Sequence, residues 1–190
     1  MTLQRILDYS HTLMEQTLKK GDIAVDGTCG NGHDTLFLAK LVGEEGHVHG
    51  FDVQQKAIQN TIRRLEANSV EHRVSLYHES HSHIKESIPS EHQSNIQAAI
   101  FNLGYLPGSD KQVVTTPTET ISSVENLLTM MKKGGLIVLV VYHGHSGGDV
   151  EREAVVKFVT SLDQKAYSVL QYGFINQRNN PPFILAIEKQ

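Results

Sequence analysis

Between Val25 and Thr35 the chain reads VDGTCGNGHDT. Three glycines, Gly27, Gly30 and Gly32, lie between two acids, Asp26 and Asp34. The apolar run IAV precedes them and the amphipathic run LFLAKLV follows. That order predicts a strand, a glycine loop and a helix N-terminus, a unit that lets a ligand approach the backbone closely. No Lys follows the last glycine, which disfavours a nucleoside triphosphate, and the spacing G-x-x-G-x-G is not the dinucleotide pattern. The two acids repel a pyrophosphate and suit a ligand that carries positive charge and no phosphate.

Two further stretches belong with this loop. HGFD ends a second predicted strand on Asp52, about 20 residues beyond the glycines, where nucleotide-binding α/β folds place an acid against ribose hydroxyls. Asp52 also suits the start of the next helix. FNLGYLPG, from Phe101, puts Asn102 at the end of a fourth strand and Tyr105 beside it. An Asn amide can accept a hydrogen bond from an amine, and a Tyr ring can stack on a planar base. S-adenosylmethionine is a cofactor of the required charge. His143 and His145, after a fifth strand, share the rim with Asn102 and are candidates to hold the substrate amine or its proton. Eleven histidines make pairings such as HESHSH and HGH common by chance, so no metal site is expected. Cys29, the one cysteine, lies in the cofactor loop rather than opposite a base. It is expected to pack, not to react.

The elements that must position these residues alternate between β-rich and helical runs. Helices are expected at 3–20, 34–42, 54–67, 117–132 and 148–162, with a short polar one at 81–87. Strands are expected at 23–26, 47–52, 73–78, 96–102, 136–142, 166–174 and 183–188. The last two have no helix between them and should pair antiparallel. This is one α/β domain over residues 1–190, with a seven-stranded, mainly parallel sheet and helices on both faces.

The motifs resemble those of class I S-adenosylmethionine-dependent methyltransferases, which have a Rossmann-like fold, over nearly the whole chain. DGTCGNG is similar to the D-P-x-C-G-S-G loop of amino-methyltransferases that act on exocyclic nitrogens. NLGY stands where they carry N-P-P-Y, with Leu103 and Gly104 replacing the two prolines. VDGTCGNGHDT, FNLGYLPGSDK, VYHGHSGG with Glu151 and Glu153, and QRNNPPFILAIEK together look like a narrower family. These are small bacterial proteins first described as rRNA methylases and now understood as tRNA methyltransferases of the 5-aminomethyl-2-thiouridine wobble nucleoside. The resemblance implies that S-adenosylmethionine is held by Asp26, Thr28, Cys29, Gly30, Asn31, Gly32, Asp34, Asp52, Gln54, Ser80, His81 and Asn102. It implies methylation of a primary amine, with Asn102, Tyr105, His143 and His145 at the reaction. Substrate contacts would come from Tyr105, Leu106, Pro107, Gly108, Lys111, His143 and Arg178.

Composition sets the remaining bounds. Net charge is −4, which gives no global footprint for nucleic acid. No apolar run reaches the roughly 18 residues needed to span a bilayer, so no membrane partner is expected. A single cysteine fits a reducing cytoplasm. tRNA is the expected partner, and a homodimer would widen the surface offered to it. Ribosomal RNA or a small amine is the alternative substrate. A NAD-dependent dehydrogenase is disfavoured by the missing G-x-G-x-x-G.

Overall fold

The computed structural model describes residues 2–104, 114–144 and 147–190. Seven strands form one sheet: β1 (Ile23–Asp26), β2 (His47–Phe51), β3 (Val74–Tyr77), β4 (Ile96–Leu103), β5 (Met131–Val141), β6 (Tyr167–Tyr172) and β7 (Phe183–Lys189). Their order is β3-β2-β1-β4-β5-β7-β6. The pairs from β3 to β5 are parallel. β7 runs antiparallel to both β5 and β6, as a hairpin without a crossover helix must.

Among the described residues, α-helices flank the sheet: α1 (Ile6–Thr17), α2 (His33–Val42), α3 (Gln55–Glu66), α4 (Ile84–Ser87), α5 (Pro117–Met130) and α6 (Gly148–Thr160). The period-2 alternation of the central strands divides the core. Ala98, Ile100, Val138 and Val140 pack with Met14 of α1, Leu38 of α2 and Leu65 of α3. Ala99, Phe101, Ile137 and Leu139 pack with Ile84 of α4, Leu127 of α5 and Val155 of α6. Each fully buried aliphatic or aromatic side chain contributes about 1.5–3 kcal/mol of transfer free energy. Among the described residues no helix is long and apolar enough to cross a membrane.

The largest differences from the expected boundaries fall at β5 and at the first helix. The pattern KKGG reads as a helix stop followed by a strand from 136. Instead α5 ends at Met130 and β5 begins at once, with Met131 paired to Ile96. The register then shifts, so that the next partners are Ala98 and Leu136. Lys132 to Gly135 form the irregularity, with Gly134 at φ 73°. Met131 is 3% exposed, and its burial pulls the chain into the sheet before the glycines. The first helix is also shorter than expected. Leu18 is extended (φ −87°, ψ 141°), which lets its side chain enter the core while the chain turns at Gly21.

Candidate active site

The strand order reverses at β1, which sits between β2 and β4. A crevice at the carboxyl ends of such strands is where open α/β sheets bind ligands. Here it is a cleft of about 860 Å³.

The glycine loop forms one wall. Asp26 ends β1 and lies wholly buried beneath the loop. Its carboxylate accepts the Thr28 N–H at 3.1 Å and the Thr35 hydroxyl at 2.6 Å. Burial, reinforced by the charge of Asp34, pushes its carboxyl up to about 7. Gly30 and Gly32 take left-handed φ values of 54° and 77°. At Gly32 a Cβ would come within 2.8 Å of the Thr61 Cα, so backbone and packing both demand glycine. Cys29 is 4% exposed. Burial, with Asp26 nearby, pushes its thiol well above the ordinary range, which leaves no thiolate to attack a base.

Asp52 follows β2 and accepts the Gly30 and Gln54 N–H groups, each at 2.9 Å. A carboxylate has about four acceptor sites, so two remain for ribose hydroxyls. Burial raises its carboxyl despite these bonds. On the far side, His81 faces the Gly27 carbonyl through Nδ1 at 3.1 Å. Burial holds its imidazole below the usual range. It is therefore neutral, with Nδ1–H donating and Nε2 an acceptor. That Nε2 is buried without a protein partner. The Ser80 hydroxyl donates to Glu119 at 2.8 Å.

Asn102 closes the β1–β4 side. Its backbone N–H donates to the Thr28 hydroxyl at 2.7 Å, and its Nδ2 donates to Asp34 Oδ2 at 2.6 Å. Asp34 Oδ1 meets His11 Nε2 at 2.7 Å. This hydrogen bond, stronger than the opposing burial, raises the His11 imidazole. His143 belongs to the other face of the sheet. Its Nδ1 is 3.3 Å from Arg152 and its Nε2 is 3.2 Å from the Pro181 carbonyl. Arg can only donate and a carbonyl only accept, so the ring is a strut between α6 and the β6–β7 connection.

Of the residues singled out in the sequence, Thr28, Cys29, Gly30, Asn31, Asp34, Asp52, Gln54, Ser80, His81, Asn102 and His143 line this cleft. Asp26 lies beneath the loop and Gly32, at its end, caps α2; neither lines the cleft. Arg178 is exposed and does not line the cleft, whereas its neighbour Asn180 does. Tyr105, Leu106, Pro107, Gly108, Lys111 and His145 lie outside the described residues. His11, Glu119, Thr115 and Tyr142 also line the cleft. Tyr142 stands within VYHGHSGG, whereas His11, Thr115 and Glu119 occur in no local motif, and only the fold brings them there.

The described lining residues include Asp34, Asp52, Glu79 and Glu119 but no Lys or Arg. Such a wall suits a cationic sulfonium ligand and repels phosphate. The orphaned His81 acceptor suits a nucleoside edge. This sheet with its acid-lined glycine-loop cleft is that of an S-adenosylmethionine-dependent methyltransferase. The family model described as "Putative rRNA methylase" matches residues 48–188, and the chain belongs to that family. A crystal structure titled "putative rRNA-methylase" from Clostridium thermocellum superimposes with a TM-score of 0.96 at 41% identity, covering 100% of both chains. A Streptococcus mutans methyltransferase homologue, solved in complex with SAH, superimposes with a TM-score of 0.89 at 39% identity, covering 99% of both chains. A curated Arabidopsis thaliana protein named tRNA (mnm(5)s(2)U34)-methyltransferase, chloroplastic, is 33% identical across 98% of this chain and 70% of its own length.

Proposed function

We propose that the protein methylates the primary amine of 5-aminomethyl-2-thiouridine at the tRNA wobble position, giving the methylaminomethyl nucleoside. The observation that carries this reading is the Asn102 amide at the mouth of the cofactor cleft, tied by its nitrogen to Asp34 at 2.6 Å. With the nitrogen so occupied, the carbonyl oxygen is the end that can accept an N–H from an amine. The Arabidopsis relative, named for this nucleoside, supports the same reading.

S-adenosylmethionine, when bound, supplies an electrophilic methyl on a sulfonium. Thr28, Gly30 and Asp52 would hold it, with Ser80 and His81 on the nucleoside side. Transfer requires the amine nitrogen within about 3–3.5 Å of the methyl and in line with its bond to sulfur. The nitrogen must be neutral, since an ammonium has no lone pair. Both ring nitrogens of His143 are engaged, which supports an amine made neutral by desolvation over proton transfer to that imidazole. Asn102 aims the lone pair, and no covalent intermediate on the protein is needed.

The test incubates labelled S-adenosylmethionine with tRNA from cells lacking the gene, alongside rRNA and small amines, and reads the wobble nucleoside by mass. A gain of one methyl at that nucleoside is expected. Label entering only rRNA or a free amine would reject the substrate. Asn102→Ala is expected to bind cofactor normally and lose turnover by about 10²-fold, whereas Asp52→Ala loses cofactor binding. Equal loss of cofactor affinity in both would reject the division of roles.

A further inference from the structure

We propose that His11 is a positioning residue for the methyl transfer, acting through Asp34 to keep the Asn102 amide oxygen turned towards the substrate amine. The inference rests on the amine-methylation reading above and extends it to the first helix, which no motif connects with the reaction.

The geometry is a three-member chain from three elements. His11 Nε2 contacts Asp34 Oδ1 at 2.7 Å, and Asp34 Oδ2 receives the Asn102 Nδ2 at 2.6 Å. A carboxylate accepts and does not donate. An Asn102 amide turned over would set its oxygen against a carboxylate oxygen at that same short distance. Asp34 therefore selects one of two nearly isosteric amide orientations. It can do so only while its own plane is fixed, and Asn102 bonds one of its oxygens. His11 supplies the second bond.

The histidine is itself restrained. Its ring stacks on Phe37 with centroids 3.9 Å apart and planes 12° apart. Phe37 follows Asp34 by one helical turn on α2, so stack and hydrogen bond act from one face. On α1, Leu7 and His11 are four residues apart and both line the cleft. Ile6, Ser10 and Met14, also at intervals of four, bury the neighbouring face in the core. The charged groups around His11 are Asp34 from α2 and Asp8 and Glu15 from its own helix, all of which favour the imidazolium. Tyr142, at the end of β5, lines the same cleft, and its phenol is raised by burial and by Asp34. Asp34 bridges His11 to Asn102.

The test uses His11→Leu, which keeps apolar packing on Phe37 without a donor, and His11→Gln, which restores an N–H donor. His11→Leu is expected to lower kcat by about tenfold, with cofactor Kd and tRNA KM within about twofold, because misaim costs rate rather than ground-state binding. His11→Gln is expected to recover most of that loss. A second measurement needs no substrate: exchange of the Asn102 side-chain amide protons with water, followed by NMR. It is expected to be slow in the native protein and in His11→Gln, and faster in His11→Leu. Unchanged exchange in His11→Leu, or a loss confined to cofactor affinity with kcat unchanged, would overturn the proposal. If exchange changes as expected while tRNA gains no methyl, the substrate reading falls and the positioning chain stands.

Discussion

His49 sits on β2, away from the cleft, and its protonation has a calculable effect on stability. The side chain is fully buried. Its Nδ1 lies 3.0 Å from the Tyr77 hydroxyl and its Nε2 lies 2.7 Å from His92 Nδ1. The His47 and His92 rings are 4.9 Å and 5.0 Å away. Burial, then the two neighbouring imidazoles, pushes His49 down to about 3 from an ordinary 6.5. The unfolded chain therefore binds a proton that the folded protein refuses, and stability falls as pH drops from 6.5 towards 3. Each pH unit inside that window costs about 1.4 kcal/mol, so lowering the pH from 7 to 5 costs about 2 kcal/mol through this residue. Asp26 acts in the opposite sense. Its carboxyl, raised by burial and by the charge of Asp34, takes up a proton in the folded state and so gains stability as the pH falls. A flat native profile would thus conceal two opposed titrations. His49→Gln keeps an amide for Tyr77 and His92 but cannot titrate, and it leaves Asp26 untouched. Urea unfolding at pH 7 and pH 5 should show the variant gaining about 2 kcal/mol on the native protein as the pH falls, whatever its absolute stability. Equal pH dependence in the two proteins, to within about 0.5 kcal/mol, would refute the reasoning.

Cys29→Ala should retain methyl transfer to within about twofold, since a buried, protonated thiol contributes no nucleophile; a loss beyond tenfold in the tRNA assay would return that residue to the chemistry. Glu151→Ala should destabilise the fold by about 2–4 kcal/mol in urea, because it strips the acceptor from two hydroxyls at once. Those hydroxyls are Thr115 at 2.7 Å and Thr120 at 2.8 Å, the latter bond buried; a cost under about 1 kcal/mol would show that water replaces the carboxylate.

What the sequence disclosed depended on whether a residue's role was set by its own neighbours in the chain. The loop after β1 was legible because its glycines, acids and flanking apolar runs are contiguous, and Asp52 because a second strand must end beside the first. The hairpin of β6 and β7 was legible from the missing helix between them. The start of β5 was not, since KKGG carries the composition of a helix stop. Only the pairing of Met131 with Ile96 shows that the strand begins before it. His11 was not legible, because it belongs to no local motif and its partner lies 23 residues away. Arg178, which the resemblance places among the substrate contacts, is exposed and lies beyond the cleft wall, which its neighbour Asn180 joins.

Parity along the strands decides which groups can meet at the reaction. Ala98 and Ile100 point to the α1–α2 face, so Asn102, two residues on, must point there too, where Asp34 and His11 receive it. Leu103 belongs to the opposite core. On β5 the same alternation carries Val140 to the α1 face and Val141 to the α6 face. Tyr142 therefore joins the Asn102 side, and His143 turns to Arg152 and Phe183 instead. The end of β4 is held from both faces. Asn102 is fixed from one side, while the Gly104 N–H donates to Thr115, which Glu151 of α6 holds in turn. Asn102 and Gly104 are two residues apart, so a shift at either anchor is passed to the amide through a single turn of extended backbone. A register slip of one residue in β4 would take the amide away from Asp34, since every side chain on the strand would change face, and would also break the bond from the Asn102 N–H to Thr28 of the cofactor loop.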